Sequence, residues 1–126
     1  MGSHGAVASY ALGEDVWEAV KADWRTAPVS PQLRAALGFI EKQTLRPDEL
    51  THEDAEAVYA AGVSKQGLRD AALVAAMFNM IVRLADSFGW AVPEWDALMA
   101  RAGAMLEGRY ALDAVRQRMR PGAPAQ

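Results

Sequence analysis

The fold of this 126-residue chain is decided by the stretch LRDAALVAAMFNMIVRLADSFG, residues 68–89. Apolar side chains occupy nearly every side of this stretch when it is drawn as a helix, and its alanines let neighbouring helices approach closely. Ser64 is a suitable N-cap and Gly89 a suitable C-terminal stop, so the sequence predicts one long helix over Lys65–Phe88. A helix of this composition is normally buried on most sides, and we expect the same here.

Two polar residues interrupt the apolar surface of the predicted long helix. Asn79 and Arg83 are four residues apart and therefore lie on one face, and Asp86 follows three residues later. One interpretation is a salt bridge between Arg83 and Asp86 that fixes the register of the helix. The other is that these three residues, together with Phe78, line a small-molecule pocket or a subunit contact.

Capping signals upstream of the long helix predict two more helices. Ser30 followed by proline predicts a helix over about residues 31–44. Thr51, with Asp54 three residues later, predicts a short helix that ends at Gly62.

The remainder of the chain is also helical in pattern. Four further segments are predicted as helices, over residues 6–12, 14–24, 93–107 and 110–119. No segment alternates as a strand would. The sequence therefore predicts an all-α helical bundle in a single domain over residues 1–119, followed by a disordered tail over residues 120–126.

An aromatic and sulfur-rich segment follows the predicted long helix. It contains Trp90, Trp95, Met99, Met105 and Tyr110. We expect these side chains in the core or at a subunit interface, and the alternative is the wall of a hydrophobic ligand pocket.

Composition excludes several classes of function. The net charge of −3 without a basic block argues against nucleic acid as a partner, and the absence of cysteine excludes thiolate chemistry for this chain. The longest uncharged stretches, residues 1–13 and 71–82, are shorter than the ~20 residues of a membrane span, so we expect a soluble, cytoplasmic protein without a membrane partner. His4 and His52 are not at metal-ligand spacing, and we expect neither a metal nor another cofactor.

Four motifs, taken in order, resemble the carboxymuconolactone decarboxylase and alkylhydroperoxidase D-like family, and its peroxidase-related branch most closely. They lie at residues 45–47 (LRP), 50–54 (LTHED), 60–64 (AAGVS) and 78–89 (FNMIVRLADSFG). The resemblance covers roughly residues 4–89 and depends on the order and spacing of the motifs. It implies a helical bundle that forms homo-oligomers and, in the intact family, thiol-dependent reduction of organic hydroperoxides, an antioxidant oxidoreductase activity.

The resemblance also gives His4 a role. Peroxidases of this family use a Cys-x-x-Cys pair near the start of a helix, and a histidine follows the second cysteine by four residues. The helix N-terminus and the histidine favour the thiolate, and the histidine can relay a proton. His4 would be that histidine, but the chain contains no cysteine, so we expect it to be inactive alone.

Three explanations for the missing cysteines stay open. The chain is an N-terminally truncated product whose redox pair lies upstream, or a natural family member that has lost its redox centre. In the third, MGSH at residues 1–4 is a cloning remnant, in which case His4 has no role.

Two classes of function follow from these alternatives, and whether the chain is an enzyme stays open between them. The first is an alkylhydroperoxidase-like protein that acts on small hydroperoxides. The second is a non-catalytic helical scaffold, or an oligomer that binds a small apolar ligand. A decarboxylase activity is a third, less supported hypothesis, because no lactone-binding residues can be identified.

Overall fold

The chain is helical throughout the part that the computed structural model describes, residues 2–108. Six α-helices and one short 3₁₀ turn follow one another: α1 (Ser3–Leu12), α2 (Glu14–Asp23), α3 (Pro31–Leu45), the 3₁₀ turn (Pro47–Glu49), α4 (His52–Ala60), α5 (Lys65–Phe88) and α6 (Trp95–Glu107). Because residues 2–108 contain no strand, the predicted all-α class is confirmed. The helix predicted over residues 110–119 and the predicted tail lie outside the described residues.

Two compact units make up the described chain. One contains residues 2–17 and 92–108, and the other contains residues 18–91. In the first unit, α1 packs against α6. The single domain expected over residues 1–119 stays a prediction.

The first unit is organised around a small cluster of buried side chains. Its members are Ala6 and Val7 from α1 with Leu98 and Ala102 from α6, and Trp95, Met99 and Met105 pack against them. Ala6 and Ala102 are fully buried, so the two helices meet through small residues. The prediction that this segment contributes to the core is confirmed for Trp95, Met99 and Met105. Trp90, by contrast, is half exposed.

Capping explains where the helices of the second unit begin and end. The Ser30 hydroxyl accepts a hydrogen bond from the amide of Leu33 at 3.1 Å, and that of Ser64 accepts one from Gly67 at 2.9 Å. Each bond satisfies an amide that the first turn leaves without an intrahelical partner. Gly89 ends α5 with a φ of 61°, a left-handed conformation that favours glycine. The predicted bounds of α5 are confirmed.

A charged contact joins α3 to the start of α4. The Asp54 carboxylate accepts hydrogen bonds from the Thr51 amide at 2.8 Å and from the Lys42 ammonium at 2.7 Å. The bond from Lys42, followed by that from Thr51, lowers the pKa of Asp54 below its ordinary value of 3.8. The predicted capping residue therefore also anchors the neighbouring helix.

The expectation that α5 is buried on most sides is wrong for the described chain. Leu68 is its one buried residue, because α3 and α4 cover only one side of the helix. Many large apolar side chains are exposed instead, and Met77 and Phe88 keep 63% and 70% of their surface accessible. By length and composition α5 also meets the criterion for a membrane-spanning helix, a criterion that core helices of soluble proteins meet as well.

Candidate functional site

An open groove between α3 and α5 contains most of the residues that the sequence singled out. Its volume is about 500 Å³. The lining residues are Ile40 and Thr44 from α3 with Ala75, Phe78, Asn79, Val82 and Arg83 from α5. The wall is therefore mainly apolar, with a hydroxyl, an amide and a guanidinium as its polar groups.

Asn79 forms the polar connection between the two helices. Its side-chain amide donates to the Thr44 hydroxyl at 3.2 Å and to the Ala75 carbonyl, one turn back on α5, at 3.0 Å. The first bond spans 35 positions of the chain and holds the end of α3 against the middle of α5. Asn79 is therefore a positioning residue for this groove.

Arg83 lies at the edge of the groove, one helical turn beyond Asn79. Its Nη1 donates to the backbone carbonyl of Asn79 at 2.6 Å and to the amide oxygen of the same residue at 3.3 Å. These bonds hold the guanidinium beside the groove, where its positive charge is available to an acidic or strongly polar ligand group.

The predicted salt bridge between Arg83 and Asp86 is wrong for the described residues. None of the ion pairs among residues 2–108 joins these two side chains, and Arg83 bonds Asn79 instead. Asp86 is exposed, and it lines neither this groove nor its neighbour. Hydrogen bonds between α5 and α3, such as that from Asn79 to Thr44, fix the register of the helix instead.

A second, smaller groove shares the polar residues with the first. Its volume is about 390 Å³, and it is lined by Gln43, Thr44, Ala76, Asn79, Met80 and Arg83. Gln43 donates from its side-chain amide to the Ala72 carbonyl at 3.3 Å. Its buried Oε1 has no hydrogen-bond partner among the described residues.

The predicted site residues are therefore only partly brought together. Phe78, Asn79 and Arg83 share one groove, as the four-residue spacing suggested. Asp86 lies one turn away on the same helix. His4 is exposed in the first turn of α1, which belongs to the first unit.

Three residues from α3 were missed by the sequence reasoning. Ile40, Gln43 and Thr44 contribute the opposite wall of the two grooves. The available signal was weak: Ile40 and Thr44 are four residues apart and thus share a helix face. Their partners lie on α5, so spacing within α3 alone does not identify a groove.

The groove offers groups that can bind a small molecule. It has apolar surface, hydrogen-bonding groups and one fixed positive charge, and the sequence has no cysteine to act as a nucleophile. Among the described residues, no group of three or more His, Cys, Asp and Glu side chains is arranged to hold a metal ion.

Comparison with models of known protein families gives no match for this sequence, and comparison with curated proteins gives none either.

Proposed function

We propose that this chain is an alkylhydroperoxidase-like helical protein whose groove between α3 and α5 binds a small, mainly apolar ligand, with an organic hydroperoxide as the ligand class. The supporting observation is the combination of an apolar wall from Phe78 and Val82 with the hydrogen-bonded pair Asn79 and Arg83 at its edge. An alkyl or aryl group would contact the wall, and the peroxide oxygens would accept hydrogen bonds from the polar edge. The resemblance described above points to the same ligand class.

Thiol-dependent reduction requires groups that this chain does not contain. A thiolate attacks one peroxide oxygen, the O–O bond breaks and an alcohol leaves, and the sulfur becomes a sulfenic acid. A second thiol then displaces water from that sulfur and forms a disulfide. Because the sequence has no cysteine, both thiols would have to come from another polypeptide segment or chain. In this proposal the chain contributes ligand binding, His4 as proton relay, and assembly into a homo-oligomer in the cytoplasm.

Ligand binding is tested directly with cumene hydroperoxide and its alcohol, 2-phenyl-2-propanol, titrated by isothermal calorimetry or NMR. Phe78→Ala removes part of the apolar wall and is expected to weaken binding about tenfold. Leu45→Ala is the control, because this side chain lies outside both grooves and is 69% exposed. Equal losses in both variants, or no binding by the unaltered chain at millimolar ligand, would overturn the proposed site.

The catalytic part of the proposal is tested by a peroxidase assay with the same hydroperoxide and a dithiol. The chain alone is expected to show no turnover. If the codons upstream of Met1 encode the thiol pair, a version extended by them is expected to be active. Turnover by the chain alone would contradict the thiol mechanism.

A non-catalytic scaffold is the second candidate function, favoured by the absence of cysteine. Ligand binding without peroxidase activity in either version of the chain would support it.

A further inference from the structure

The face of α5 that points away from α3 is a continuous apolar surface. Seven large apolar side chains lie on it, each between 40% and 70% exposed: Leu73, Val74, Met77, Met80, Ile81, Leu84 and Phe88. We call this set the outer seam. It is distinct from the first groove, because α5 turns its partly buried residues Ala72, Ala75 and Asn79 toward α3, and Met80 at the edge of the seam also lines the second groove.

The spacing of the outer seam makes it one line along the helix. Leu73, Met77, Leu84 and Phe88 recur at intervals that keep them within about a third of the circumference, and Met80 and Ile81 fill the middle. From Leu73 to Phe88 the seam is about 22 Å long at the rise of an α-helix. No position of the seam is charged.

The outer seam is complementary to itself when two copies run antiparallel. A two-fold axis between Met80 and Ile81 places Met77 opposite the partner's Leu84 and brings Leu73 to the same height as the partner's Phe88. Each of these contacts occurs twice, once from either copy, as in any isologous interface. The antiparallel arrangement also sets opposite ends of the two helix dipoles side by side.

The apolar area is sufficient for a stable dimer. Seven side chains with about half of their surface exposed offer on the order of 700 Å² in each copy, or ~1,400 Å² for the pair, within the usual range of specific interfaces, ~1,200–2,000 Å². Left in water, an apolar patch of this size is larger than monomeric proteins normally expose.

We propose that the outer seam is the interface between two copies of this chain, paired through antiparallel α5 helices. The inference specifies the surface for the homo-oligomer of the proposed function and rests on that part of it. A lipid surface fits less well, because helices that lie on membranes carry a basic polar face. The polar positions of α5 are of mixed charge instead: the basic Lys65, Arg69 and Arg83 are accompanied by the acidic Asp70 and Asp86.

The pairing is tested with complementary charges at positions that face each other only in the antiparallel register. Met77→Lys and Leu84→Glu each bury two unpaired charges in a homodimer, and each is expected to weaken self-association at least a hundredfold in sedimentation equilibrium. Mixing the two variants places opposite charges at one contact of a heterodimer and keeps Met77 against Leu84 at the other. Dimerisation is therefore expected to return in the mixture.

Controls separate this result from misfolding. Both substituted residues are exposed and lie outside the grooves, so helix content by circular dichroism is expected to stay unchanged. Leu45→Glu adds the same charge at a 69% exposed leucine outside the seam and is expected to leave association intact.

Three results would overturn the pairing: an unaltered chain that is monomeric at 100 µM, variants that still dimerise separately, or a mixture that stays monomeric. Sedimentation of the unaltered chain with vesicles of phosphatidylcholine and phosphatidylglycerol, abolished by Met77→Lys, would assign the seam to a membrane and also contradict it. Binding of 2-phenyl-2-propanol by the seam variants is measured in parallel, so that failure of the groove and failure of the seam are distinguished.

Discussion

At the scale of single residues, two side-chain hydrogen bonds join α3 to α5, one from Asn79 to Thr44 and one from Gln43 to the Ala72 carbonyl. The 3.2 Å contact between Asn79 and Thr44 is partly buried. If one partner is removed, water therefore replaces the lost hydrogen bond of the other only in part. Asn79→Ala is expected to lower the free energy of unfolding by about 1 kcal/mol, as is typical for loss of such a bond.

A double-mutant cycle with Thr44→Val checks this assignment by urea denaturation. The second substitution should cost little once Asn79 is replaced, because both changes remove the same bond. Strictly additive losses would show that the two side chains do not stabilise the protein through each other. The sequence places Asn79 and Arg83 on one face, but not Thr44 beside them, since helix periodicity says nothing about residues 35 positions away.

At the scale of secondary-structure elements, Asp54 joins the N-terminus of α4 to α3 through Lys42. The pKa of Asp54 is lower in the folded chain than its ordinary value of 3.8, because the bond from Lys42 and then that from Thr51 favour the carboxylate. The folded state therefore binds fewer protons than the unfolded state near this pH. The stabilisation is fully present above pH 3.8 and is lost as the pH falls through the folded pKa.

Asp54→Asn is therefore expected to lower the thermal midpoint at pH 7 and to flatten its decline below about pH 4. Thermal scans between pH 2.5 and 7 measure both effects, and Asp48→Asn, at an exposed carboxylate in the 3₁₀ turn, is the control. If the thermal midpoint of the Asp54 variant declines at low pH as steeply as that of the unaltered chain, Asp54 does not cause the decline.

The sequence identifies the helices themselves well. Ser64 and Gly89 bound α5 where the structure has it, because capping is a local interaction between residues three or four positions apart. The packing of the helices is less predictable. The apolar circumference of α5 indicated burial on most sides, yet within residues 2–108 only one side is covered.

At the scale of the whole molecule, the exposed apolar surface of α5 is expected to make stability depend on protein concentration. If two copies associate through the outer seam, the thermal midpoint of the unaltered chain should rise by several degrees between 1 and 100 µM, because association stabilises the folded state by mass action. Met77→Lys should abolish this dependence. Differential scanning fluorimetry across that range is sufficient, and a midpoint independent of concentration in both proteins would argue for a folded monomer.

The sequence by itself determined the all-α class, the starts of α3 and α4, both ends of α5, and the shared face of Asn79 and Arg83, since these follow from caps and from the period of the helix. Only the tertiary structure decided that Arg83 bonds Asn79 rather than Asp86, that Thr44 completes the groove, and that one face of α5 is left exposed. The physical reason is range: caps act within a helical turn, whereas packing joins side chains that the sequence separates by tens of residues.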